Sequence, residues 1–92
     1  MLARVFPARP AVTSVKGVTG HSLGAAGAIE AACTVLSIAD GVVPTTANLA
    51  VPDPSLDIDV VRDAPRRLRV EAATSNSFGF GGQNAVLVLT AA

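Results

Sequence analysis

The stretch from Leu23 to Asp40, LGAAGAIEAACTVLSIAD, constrains this chain more than any other. It reads as one helix, about 27 Å long at 1.5 Å per residue. Glu30 is its sole charge before Asp40, and nearly every face is small and apolar. A helix without a polar face is expected to be buried on all sides. Gly24, Ala25, Ala28, Ala31 and Ala32 would allow close backbone approach, and Gly41 fits the position just past a helix end. A chain of 92 residues leaves much of its surface uncovered. Half of its residues are apolar and only 15% are charged, against about 25% in ordinary domains. There is more to bury than mass to bury it with. The expectation is a piece of a larger protein, in preference to a small chain packed on a separate partner.

Around this helix the chain reads as short strands and loops. Ala11 to Val15 is a β-branched run expected to form a strand, followed by the glycine-punctuated turn KGVTGHSLG. Pro44, Pro52 and Pro54 keep the stretch after Gly41 from being helical for long. An extended surface loop is expected there, with a brief strand over Asp57 to Val61. RDAPRRLR reads as an exposed basic connector. VEAATSNSF and NAVLVLTAA read as two strands joined by GFGGQ, a hairpin within a larger sheet. The order is strand, buried helix, loop, then paired strands, with no internal repeat.

Net charge is zero and the isoelectric point is near 6.5, so nothing electrostatic argues for nucleic acid. Cys33 is the only cysteine, which excludes a disulfide framework and a metal cluster and suits a reducing compartment. Inside the helix it is expected to act as a small buried hydrophobe. No uninterrupted apolar run approaches the roughly 18–20 residues of a membrane span, so no membrane is expected. Arg4, Arg9 and Lys16 precede the first acid, Glu30. An organelle transit peptide would have this composition; the preferred reading is part of a domain whose acids lie elsewhere.

Gly20-His21-Ser22-Leu23-Gly24 matches G-x-S-x-G, the nucleophile elbow of lipases and esterases. The chemistry fails on counting. Those enzymes need a histidine after the serine, and the one histidine here comes directly before it. The residue of interest is therefore His21 itself. Lys16 lies five residues upstream, and NSFGFGGQN, far downstream, is a glycine-rich loop able to present backbone N–H groups to an oxyanion. Taken singly, a lone histidine, a lone lysine and a phenylalanine between glycines are ordinary structural residues.

Together, SVKGVTGHSLGAAGAIEAA, GVVPTTANLAVPDP and SNSFGFGGQNAVLVL resemble the C-terminal end of the β-ketoacyl-acyl carrier protein synthases, the condensing enzymes of fatty-acid and type II polyketide synthesis. The resemblance runs from about Ala11 to Leu89. It implies an α/β fold, the C-terminal part of a thiolase-like layering of helix, sheet, helix, sheet and helix, incomplete in this chain. The Leu23 helix would be its buried central helix. Residues 1–92 would then be a C-terminal fragment of a ketosynthase domain. The nucleophilic cysteine and a first histidine would belong to sequence before Met1, leaving no nucleophile in this chain.

The family reaction is a decarboxylating Claisen condensation. A cysteine thiolate takes an acyl group from acyl carrier protein, malonyl-carrier protein loses carbon dioxide, and the carbanion attacks the acyl thioester. The resemblance makes His21 the second of two histidines that hold the malonyl thioester oxygen. It makes Lys16 the lysine that orders the site. Phe80 would form half of an oxyanion hole through its N–H and gate the acyl pocket with its ring, and Gly79, Gly81 and Gly82 would let that loop flex. It implies no cofactor and no metal, acyl carrier protein as partner, a homodimer or heterodimer for the full-length enzyme, and a cytoplasmic location.

Thiolases share the G-H-x-L-G-A type of turn but carry a second cysteine in the late loop, where this chain has Phe78 and Phe80. Fatty-acid elongation is preferred, although Gln83 stands where those enzymes often have threonine. The alternatives are a type II polyketide ketosynthase and a non-catalytic remnant or partner subunit. Arg62, Arg66, Arg67 and Arg69 suggest docking of the acidic carrier protein, with a solvated connector as the preferred reading.

Overall fold

The structure, a computed structural model, describes residues 9–49, 55, 57–79 and 81–92. The chain divides into two compact units. One is formed by Met1–Gly20 and Val43–Arg66, the other by His21–Val42 and Arg67–Ala92.

The first unit is built on two short parallel strands. β1 (Ala11–Val12) pairs with β3 (Asp59–Val60), Ala11 opposite Asp59 and Val12 opposite Val60. The next residue, Val61, is 1% exposed. Its N–H donates to the Val12 carbonyl at 2.9 Å, and its carbonyl accepts from the Thr46 N–H at 2.8 Å. A buried backbone group needs such a partner, and Val61 has one on each side. Thr13 donates through Oγ1 to the Pro44 carbonyl at 2.7 Å, fastening the proline-rich segment to the strands. β1 is shorter than the run AVTSV suggested. Val15 already has helical dihedrals and caps the single turn α1 (Lys16–Thr19).

The basic connector after Val61 is not merely a solvated loop. It contains β4 (Arg66–Arg67), and the Arg66 guanidinium binds both oxygens of Asp59, at 2.6 and 2.9 Å. The strand expected over Asp57 to Val61 narrows to Asp59–Val60.

The second unit is a helix laid on a hairpin. A 3₁₀ turn (Leu23–Ala25) leads into α2 (Ala26–Asp40), and the chain leaves through β2 (Val42–Val43). Gly41 takes left-handed dihedrals, φ 65° and ψ 38°, and its N–H caps the Ser37 carbonyl at 2.9 Å. Only glycine enters that region without steric cost. β5 (Ala72–Phe78) and β6 (Asn84–Thr90) pair antiparallel from Ala72 opposite Thr90 to Phe78 opposite Asn84. These are the two strands expected, with five residues between them.

α2 packs on both strands. The less exposed residues of β5 alternate, Ala73, Ser75 and Ser77, as one face of a strand must. Gly27 opposes that face: a Cβ added there would lie 3.8 Å from Ser77 Oγ. Small residues on both sides let helix and sheet approach closely.

The helix is not buried on all sides. Among the described residues only Ala26, Val43, Val61 and Ser75 are buried. Val35 and Leu36 are 52% and 60% exposed, and Cys33 is half-buried. The hairpin covers one face of α2, and nothing described covers the opposite one. The far side of the hairpin is open as well, with Phe78, Val86 and Val88 exposed. By length and composition the helical segment Leu23–Asp40 is also apolar enough to cross a membrane, contrary to the expectation drawn from uninterrupted apolar runs. Glu30 breaks the run without ending the helix, and a core helix of a larger protein has the same composition.

Candidate functional site

Gly20 ends the single turn α1 with φ 73° and sends the chain into His21. His21 is exposed. Its ring is oriented from its own segment: Nδ1 accepts the Leu23 N–H at 3.2 Å. A neutral imidazole has one donor and one acceptor nitrogen. With Nδ1 accepting, the proton resides on Nε2, which is then a donor. Leu23 adopts φ 50°, a left-handed conformation that costs a side-chain-bearing residue roughly 1–2 kcal/mol. Strain of this kind gathers where geometry serves a purpose. Here it turns the Leu23 N–H back onto the ring.

Ser22 is the cap of the 3₁₀ turn, its carbonyl accepting the Ala25 N–H at 3.1 Å. A nucleophile elbow requires a strand immediately before the serine. β1 ends at Val12, and α1 intervenes. The G-x-S-x-G match is thus a glycine-bounded turn entering a helix, and the hydrolase reading fails on structure as it did on counting.

Lys16 opens α1, half-buried, in the first unit. His21 belongs to the second unit. The β5–β6 connection is closed by the Gly79 N–H, which donates to the Gln83 carbonyl at 2.6 Å. Gly81 and Gly82 follow with φ near 80°, so the turn itself demands glycine there. Phe80, expected to supply an oxyanion-hole N–H, lies outside the described residues.

Three of the four arginines considered for carrier docking have acidic neighbours. Arg66 holds Asp59, Arg62 lies 3.9 Å from Asp63, and Arg69 lies 3.6 Å from Glu71. A positive field capable of steering needs uncompensated charge, and these three arginines are set beside acids.

Two features escaped the sequence reading. The His21–Leu23 bond was legible only as the spacing H-x-L. The other is the turn at Ala47 and Asn48. Asn48 has φ 66° and donates through Nδ2 to the Gly17 carbonyl at 3.0 Å. Asparagine between two prolines was its only signal.

Residues 1–50 match the family model described as "Beta-ketoacyl synthase, C-terminal domain". The chain is 50% identical over 80 residues to the 3-oxoacyl-[acyl-carrier-protein] synthase 2 of Coxiella burnetii, covering 87% of this chain and 19% of that protein. It is 54% identical over 77 residues to the protein of the same name from Vibrio harveyi, covering 84% of this chain and 19% of that one. The crystal structure of a beta-ketoacyl synthase from Burkholderia phymatum STM815 superposes with a TM-score of 0.91 at 37% identity, covering 96% of this chain and 22% of that one. The chain spans about one fifth of the length of the curated relatives it matches.

Proposed function

The chain belongs to the beta-ketoacyl synthase family, and we propose that it acts as the C-terminal part of a larger condensing enzyme of fatty-acid synthesis. In this reading the reaction is the decarboxylating condensation of an acyl thioester with malonyl-acyl carrier protein. The nucleophilic cysteine and the first histidine come from polypeptide beyond these 92 residues. Acyl carrier protein is the partner, the full-length enzyme is a dimer, and it works in the cytoplasm without a cofactor.

The observation that carries the proposal is the bond from the Leu23 N–H to His21 Nδ1. Loss of carbon dioxide from a malonyl thioester leaves an electron pair that delocalises onto the thioester oxygen as an enolate. A fixed donor aimed at that oxygen lowers the barrier because the charge develops only in the transition state. With Nδ1 engaged, Nε2–H of His21 is such a donor. Lys16 supplies positive charge near the reaction. The Phe80 N–H polarises the acyl carbonyl, and the turns at Gly79, Gly81 and Gly82 let its ring move. Retention of His21 favours descent from an active enzyme over a non-catalytic partner subunit. Similarity to two 3-oxoacyl-[acyl-carrier-protein] synthase 2 proteins favours fatty-acid over polyketide substrates.

The test is made on the native polypeptide that carries this sequence. A His21→Ala variant should lose malonyl decarboxylation and condensation together, by about 10²–10³-fold, the loss seen when one preorganised donor is removed. Full decarboxylation by the variant would overturn the role given to His21.

A further inference from the structure

The single turn α1 carries Lys16 at its start. It is too short to hold itself. Its Gly20 N–H takes the Lys16 carbonyl, which leaves the carbonyls of Gly17, Val18 and Thr19 without partners inside the turn. Asn48 supplies one: its Nδ2 donates to the Gly17 carbonyl at 3.0 Å. The same turn presses on Gly17 from another side. A Cβ at Gly17 would clash with the Ala47 carbonyl oxygen, closer than real side chains come. The left-handed φ of 66° at Asn48 shapes this turn, and asparagine is among the few residues other than glycine that visit this region. The segment is anchored in turn by the Thr46 N–H on the Val61 carbonyl and by Thr13 on Pro44. A continuous set of contacts therefore runs from the buried Val61 through Asn48 to the turn bearing Lys16, all within the first unit.

We propose that Asn48 is a positioning residue for Lys16, its side-chain amide holding the turn from which the lysine reaches the reaction. This rests on the role given to Lys16 above. The amide is needed as a donor, so a carboxylate of the same shape cannot replace it. Glycine keeps the left-handed turn and loses only the amide.

Condensation of an acyl primer with malonyl-carrier protein is measured for the native polypeptide and for Asn48→Asp, Asn48→Gly, Lys16→Ala and the double variant Lys16→Ala/Asn48→Asp. Thermal unfolding is followed in parallel. Both Asn48 variants should lose about tenfold in kcat with KM unchanged, the effect of a small misplacement worth roughly one hydrogen bond. In the Lys16→Ala background, Asn48→Asp should cost nothing further, because residues acting through one group are not additive. A merely structural role would multiply the two losses instead. Parental rates in Asn48→Asp, or multiplied losses in the double variant, overturn the proposal while leaving Lys16 its role. Parental rates in Lys16→Ala overturn both. Should Asn48→Asp unfold, Asn48→Gly, alone and with Lys16→Ala, decides by the same comparison.

Discussion

Asp59 and Arg66 show what single residues contribute outside the site. The Asp59 carboxyl is held below its ordinary value of 3.8, chiefly by the hydrogen bonds it accepts from Arg66. Partial burial opposes this, and the charges of Arg66 and then Arg9 add to it. The Arg66 guanidinium is correspondingly raised, again first by the hydrogen bond to Asp59. A carboxyl whose folded value lies below its unfolded one adds stability above the unfolded value. That stability is lost as pH falls through the folded value. Asp59→Asn is therefore expected to lower the unfolding midpoint of the native polypeptide at pH 7. The difference from the parent should shrink below about pH 4. Both side chains are more than a third open to water, at 40% and 35%, so the effect should be small and weaken in salt. Thermal melts across pH check this, and a difference constant with pH would show that packing is responsible. RDAPRRLR already held the charges; the pairing of Arg66 with an acid seven residues earlier was not readable, because it depends on β3 and β4 bringing the two together.

At the scale of elements, α2 is the part most fully written in the chain. Its body and its stop at Gly41 follow from local chemistry: apolar small residues propagate a helix, and glycine ends it. The α-helix itself opens at Ala26 behind a 3₁₀ turn, three residues later than the run from Leu23 suggested. Gly41→Ala should destabilise the native polypeptide by about 1 kcal/mol from the left-handed dihedrals alone. The added Cβ would also approach the Leu68 carbonyl oxygen to 3.2 Å, so the cost should exceed that of a glycine-to-alanine change at an open helix end. Denaturant unfolding measures it, and an unchanged midpoint would mean that the last turn of α2 does not limit stability. The β5–β6 hairpin was equally legible from its two apolar runs and the glycines between them. β2 and β4 were not. Strands of two residues carry no periodicity, and each exists only where tertiary neighbours align its backbone.

At the scale of the whole molecule, exposure outweighs burial. Val35 and Leu36 on α2 and Phe78, Val86 and Val88 on the hairpin stand open to water. Exposed apolar surface on two sides of the unit drives association. Prepared as an isolated 92-residue chain, the protein should self-associate and bind an apolar dye strongly, as read by light scattering and fluorescence. A monodisperse, cooperatively unfolding monomer would overturn this expectation.

The sequence by itself determined the helix, the hairpin, the glycine stops and the identity of His21 and Lys16 as the residues to watch. These are local matters: periodicity, turn chemistry and a few motifs in order. Tertiary structure decided what the side chains do with one another. It fixed the donor nitrogen of His21, through a strained Leu23 whose left-handed φ no pattern announces. It brought Asn48 to Gly17 across 31 residues of chain and Arg66 to Asp59 across two strands. It also left α2 covered on one face, where composition alone called for burial all round. The reason is physical in each case. Hydrogen-bond partners and covered faces depend on backbone dihedrals and on which groups the fold brings together, and only the folded chain sets these.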